Sequence, residues 1–273
     1  MILRSLLKKM LVSKELESQL NEIKKPVGVY GYDPWGYNTD SFMIGMALFK
    51  KLYDKYFRVE THGLEHIPKE GRALVIANHS GQLPMDGVLI GIAIATNPDG
   101  PRAARAMAER FFPTVPFIGN LINQVGAVIG DPINCIKMLQ NEEIVIVFPE
   151  GVRGSGKLYK KRYQLQRFGN GFMHIAMTCQ TPIIPVGVVG CEETMPSMAD
   201  IKPLAKLIGV PYVPVTVPFP LPAKVFLNFG KPMMFEGDID NEESVTKKVR
   251  EVKAAIRKLI EKGLSERKGV FYG

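Results

Sequence analysis

The stretch EEIVIVFPEGVRGSGKL, residues 142–158, joins a β-branched apolar run to a glycine-rich turn. The run predicts a buried strand. Gly151, four intervening residues, Gly156 and Lys157 nearly complete a nucleotide-binding P-loop, but that loop needs Ser or Thr after the lysine to reach Mg²⁺, and Leu158 stands there. The LYKKRYQLQRFGNG that follows is basic, aromatic and broken by glycine, without the apolar stripe of a helix whose N-terminus faces phosphates. The nucleotide reading weakens, and FPEGVR needs another explanation.

Outward from this strand, from Arg58 onward, short apolar runs alternate with helical patterns: RVETH, RALVIAN, the helix after Pro84, ARAMA, IGNLINQ, GAVIG, INCIKMLQ and TPIIPVGVV. That alternation predicts an α/β fold, a mixed sheet covered by helices. VLIGIAIA, 88–95, reads as a buried helix, because no run approaches the roughly 20 apolar residues that span a bilayer. Six prolines between Pro203 and Pro222 keep that segment out of a central strand. It reads as a surface excursion, apolar enough to contact lipid or cover a pocket. VFLNFG resumes as a strand, and a helix over 241–264 closes the chain, with Asp240 and Glu243 as a capping box and Val245, Val249, Val252, Ile256, Leu259 and Ile260 as its buried stripe.

Composition bounds the partners. A net charge of +8 on 273 residues favours anionic ones, whether nucleic acid, lipid headgroups, phosphorylated metabolites or an acidic carrier protein. Nucleic acid ranks last, since aromatics do not interleave with the basic positions. Cys135, Cys179 and Cys191 form no CxxC pair and suit a reducing, cytoplasmic compartment. The N-terminal region, 1–57, opens with Ile2, Leu3, Leu6, Leu7, Met10 and Leu11 opposite Arg4, Lys8 and Lys9. Two readings stand: a helix docked on its own protein, or one lying in an anionic membrane surface, peripheral or monotopic. SFMIGMALFKKLYDKYF, with Phe42, Met46, Phe49 and Leu52 on one side, is a second amphipathic segment of the same kind.

The chemistry concentrates after the strand RALVIAN, at His79 in NHSGQLPMDG. A histidine on a loop at a strand's end is placed for proton transfer near neutrality. Pro84 suits a helix start, which puts Asp86 in the first turn, where its carboxylate can return to one ring nitrogen and leave the other as base. His62, His66 and His174 have no such carboxylate, no HExxH pattern suggests a metal, and Ser80 lacks the GxSxG elbow of a serine hydrolase.

NHSGQLPMD after one strand, FPEGVR after a later one and TPIIPVGV after a third together resemble the glycerolipid acyltransferase superfamily, over about Arg58 to Pro232 within an expected domain of 58–273. The resemblance implies a glycerol-3-phosphate acyltransferase-like fold and transfer of a fatty acyl group from acyl-CoA or acyl carrier protein to a lipid hydroxyl at a membrane, with no cofactor or metal. By it, His79 is the general base and Asp86 its orienting partner; Glu150, Gly151 and Arg153 belong to the acceptor site, and Pro185 to the wall near the acyl donor. Two departures stand out. Six residues separate His79 from Asp86 where the family usually has four, and GAVIGDP places Asp131 where an arginine is expected to hold the acceptor's phosphate. An acid there repels phosphate and points to a different headgroup or a neutral alcohol such as a diacylglycerol or fatty alcohol; the other alternative is a lipid-binding membrane-surface protein without catalysis, which would not need the His79–Asp86 pair.

Overall fold

The computed structural model describes residues 2–23, 25, 27–80, 82–109 and 118–272. The N-terminal helices are α1 (Ile2–Leu11), α2 (Lys14–Asn21) and α3 (Thr39–Lys51), the last running into a π-helical turn at Leu52–Tyr56. The strand and helix succession follows: β1 (Glu60–His62), β2 (Ala73–Ala77), α4 (Met85–Ala95), β3 (Ala104–Ala108), α5 (Ile118–Gln124), β4 (Ala127–Ile129), α6 (Pro132–Gln140), β5 (Ile144–Val147), α7 (Val152–Ser155), α8 (Gly171–Thr178), β6 (Ile183–Val189) and α9 (Cys191–Thr194). The proline-rich segment contains β7 (Ala199–Asp200), α10 (Lys202–Ile208) and β8 (Pro214–Val215), before β9 (Phe226–Phe229) and α11 (Glu242–Glu266).

Among the described residues the main sheet has the order β1-β9-β6-β2-β5-β3-β4, parallel throughout except for the antiparallel β6–β9 pair. It is the mixed, helix-covered sheet the sequence predicts. Parallel strands buried on both faces read as continuous apolar runs, and ALVIA in β2 and IVIV in β5 do so because alternate residues enter different cores. Val75, Ile146 and Val186 pack with α3 and α4 on one face, while Leu74, Ile76 and Val145 pack with α6, α8 and α11 on the other. On that second face Gly187 admits α11 closely: a Cβ there would stand 2.6 Å from Leu259 Cβ. The cap of α11 is Asn241 rather than Asp240, its Oδ1 accepting the Ser244 N–H at 3.0 Å. The helix starts one residue later than the capping-box spacing implies, so Glu243 is not three positions past the cap.

The two N-terminal amphipathic segments divide. α3 turns inward, burying Phe42, Met43, Met46 and Ala47 in the core. α1 presents its polar face to the protein: Lys8 pairs with Glu17 at 2.9 Å and Asp40 at 3.1 Å, and Arg4 donates to Tyr32 Oη and Gln124 Oε1. Its apolar stripe faces away, with Leu3 71% and Met10 77% exposed. Further along, Arg105 on β3 is fully buried, bonded through Nε to Glu143 at 2.6 Å and through Nη2 to Asp33, and so straps the connector between α2 and α3 to the sheet. Lys25 adds a second bond to Glu143. No described helix is long and apolar enough to cross a membrane.

Candidate active site

In a parallel sheet, ligand sites form beyond the carboxyl ends of the strands. Here β2 is followed by Asn78 and His79, β3 by Glu109, and β5 by Phe148 and, two residues on, Glu150. The Asn78 side chain imitates a peptide group, donating to Val188 O at 3.0 Å and accepting the Val188 N–H at 2.8 Å, so the end of β2 stays locked to β6.

Pro84 is the residue before α4, which places Asp86 in the first turn as its spacing predicts. The Asp86 carboxylate, fully buried, lies 2.7 Å from His79 Nδ1 and accepts the Ser80 N–H at 2.8 Å on the same oxygen, while the other oxygen accepts the Gly87 N–H at 2.8 Å. A carboxylate acceptor fixes the proton on Nδ1 and leaves Nε2 as the open position. The imidazole stacks on Phe148, ring centroids 4.4 Å apart at 22°. Burial pushes the His79 pKa down, but the charge and hydrogen bond of Asp86, with Glu150 and Glu109 behind it, outweigh burial and hold it above the ordinary histidine value.

Glu150 is buried, and its two oxygens accept the backbone N–H groups of His79 at 3.0 Å and Gln166 at 2.6 Å. A buried carboxylate must be satisfied, and these bonds commit Glu150 to holding the His79 loop. Behind it lies the buried Lys157, with Nζ 2.8 Å from Glu192 Oε1 and 3.8 Å from Glu150 Oε2. Gly151 has φ +53°, a conformation that disfavours a side chain, and a Cβ there would also stand 3.3 Å from Glu109 Oε1. Arg153 is exposed on α7 and makes no hydrogen bond or ion pair among the described residues. Gly81, whose backbone is a candidate oxyanion donor, lies outside the described residues.

His79, Glu109 and Phe148 line the mouth of an apolar cavity of about 220 Å³ that runs between α3, α4 and the strands β3 to β5, past Phe42, Met46, Gly91 and Ala106. Pro185 is not on its wall. Residues 184, 186 and 188 of β6 face α4, so Pro185 points to the other face of the sheet, against Gly230 near Leu259 of α11. The strand block TPIIPVGV therefore contributes to the core and not to the cavity. Sequence reasoning missed Glu109, whose only signal is its place after a strand; Phe148, the first residue of FPEG; and the Lys157–Glu192 pair, which no local spacing announces. Asp131 caps α6, accepting the Ile133 N–H at 2.8 Å, which gives the acid a local structural reason.

The mixed sheet thus carries a histidine–carboxylate pair at the end of β2 and FPEG at the end of the neighbouring β5. The Acyltransferase family profile matches residues 58–189. An uncharacterized protein of Mycobacterium tuberculosis is 33% identical over 261 residues, 90% of this chain and 73% of that protein. The human DGAT1/2-independent enzyme synthesizing storage lipids is 28% identical over 205 residues, 73% of this chain and 61% of the enzyme. In fold, the chain is similar to the crystal structure of the 1-acyl-sn-glycerophosphate (LPA) acyltransferase PlsC of Thermotoga maritima, with TM-score 0.53, 20% identity and 83% of each chain covered. The chain belongs to the acyltransferase family and is an acyltransferase enzyme.

Proposed function

We propose that the protein moves a fatty acyl group from an acyl-CoA or acyl carrier protein thioester to the hydroxyl of a lysophospholipid or related glycerolipid, at a membrane surface. The observation that carries this reading is the His79–Asp86 pair opening onto an apolar cavity. His79 Nε2 removes the hydroxyl proton as the oxygen attacks the thioester carbonyl. The tetrahedral intermediate collapses with C–S cleavage, and the imidazolium returns the proton to the leaving thiolate. The thioester brings its own activated carbonyl, so the step needs no enzyme nucleophile. Asp86 stabilises the imidazolium, in keeping with the raised His79 pKa. The acyl chain lies in the cavity, and Arg153, exposed and uncommitted among the described residues, offers a forked cation to an acceptor phosphate. The outward apolar face of α1 meets the lipid.

A second reading, a neutral acceptor such as a diacylglycerol or long-chain alcohol, is favoured by Asp131 in the arginine's place and by the likeness to an enzyme named for storage-lipid synthesis. Incubating the protein with labelled acyl donor and, separately, lysophosphatidic acid, monoacylglycerol, diacylglycerol and fatty alcohol decides between them. Product from the phosphorylated acceptor alone excludes the neutral reading; no product from any acceptor contradicts both.

A further inference from the structure

The proline-rich excursion leaves the sheet after α9 and presents apolar side chains to the outside: Met198 is 70%, Leu207 81% and Phe219 78% exposed, with Ile201, Leu204 and Val215 beside them. Clustered exposure of this kind marks a partner surface. Past Asp200, whose carboxylate accepts the Val213 N–H at 3.0 Å, the excursion is also one-signed. Residues 201–223 contain no Asp or Glu, and Lys202 and Lys206 on α10 are exposed. Its root is bonded to the basic turn Tyr159–Lys161 through Tyr159 N–H to Ser197 O at 2.7 Å, and Lys160, Lys161 and Arg162 are exposed there.

Two contacts fix where this surface stands. On the inside, Tyr212 lies over Gly156, at the end of the α7 turn that carries Arg153. At the far end, Tyr56 Oη donates to Pro220 O at 2.7 Å, and Tyr56 closes an exposed apolar row with Leu48 and Leu52, four residues apart along α3 and its π-turn. α1 packs on α3 with its apolar face outward. The row therefore links the α1 surface to the tip of the excursion beside Phe219.

We infer that residues 198–219 form a second lipid-contacting element, which inserts Leu207 and Phe219 into an anionic bilayer while Lys202, Lys206 and the turn at 159–162 meet headgroup phosphates. Past Asp200 the segment carries no acid to oppose these cations, which favours an anionic bilayer over a protein partner. The inference deepens the membrane-surface reading above and gives Tyr212 the task of tying the lipid contact to the acceptor side of the site.

Sedimentation of the full chain with phosphatidylcholine vesicles, with and without anionic phosphatidylglycerol, tests it. Leu207→Glu and Phe219→Glu, at positions too exposed to disturb the core, should each weaken vesicle binding about tenfold or more, and Lys202→Glu should weaken only the part that depends on phosphatidylglycerol. Unchanged binding in both glutamate variants overturns the inference. So does a wild-type dimer that Phe219→Glu dissociates without loss of vesicle binding, because the surface then serves a second copy. His79→Ala should bind vesicles like wild type while losing acyl transfer, so near-normal transfer by that variant would refute the proposed reaction and leave this inference standing.

Discussion

The carboxylate of Asp86 reaches the Nδ1 of His79 at 2.7 Å across six intervening residues, because α4 begins one residue before it and turns the acid back over the end of β2. The same oxygen accepts the Ser80 N–H, so one acid fixes both the ring and its loop.

Asp86→Asn should therefore cost catalysis more than folding. The amide favours the wrong tautomer, and kcat should fall on the order of 10⁴-fold, the scale of the equivalent change in a serine protease triad. The acid limb of the kcat/KM profile reports the free-enzyme base. In the wild type it should lie above the ordinary histidine value of about 6.5. In the variant it should move to lower pH, because burial remains while the largest favourable charge is gone. A limb that stays in place would show that His79 is not the titrating base.

The stability sign follows from the same shift. A histidine whose folded pKa is raised contributes stability that is fully present below its unfolded pKa and lost as pH rises through the folded one. His79→Gln should thus be destabilised relative to wild type more at about pH 5.5 than at about pH 8.5, measured by urea denaturation. Equal losses at both values would contradict the raised pKa.

Glu150 holds the His79 backbone, and Lys157 supplies the opposite charge beside it. Lys157→Met leaves Glu150 and Glu192 buried without that cation, and breaking a buried pair costs about 3–5 kcal/mol. Activity should fall with kcat while KM holds, and Lys157→Arg should restore part of it. A stability loss with unchanged kcat would assign Lys157 to the fold alone.

Gly91 on α4 lines the cavity, and a Cβ there meets nothing within 4 Å. Gly91→Leu should fold at least as well as wild type, since Gly is the poorer helix former by about 1 kcal/mol. It should also shift preference toward shorter acyl chains in a competition among thioesters of different length. An unaltered chain profile would place the acyl group elsewhere.

Much of this was legible in the sequence, and the limits have physical causes. ALVIA, IVIV and IIPVGVV announced buried strands because parallel strands are apolar on both faces, and Pro84 announced the start of α4. His79 and Asp86 were legible because they sit on one loop and one helix turn. The facing of Pro185 away from the cavity was not legible, because it depends on register and the period of two reverses with every residue. The hold of Glu150 on two backbone N–H groups was not legible, because nothing local reveals that Gln166, sixteen residues on, donates to its second oxygen. The direction of α1 was open for a similar reason: its cations find Asp40 and Gln124 only after α3 and α5 have packed.

The most direct test replaces the proposed base. His79→Ala, with its fold verified by circular dichroism, should transfer labelled acyl groups from thioester to lipid acceptor at least about 10²-fold more slowly than wild type at saturating substrate. A rate close to wild type would contradict the assignment of His79 as the base that activates the acceptor hydroxyl.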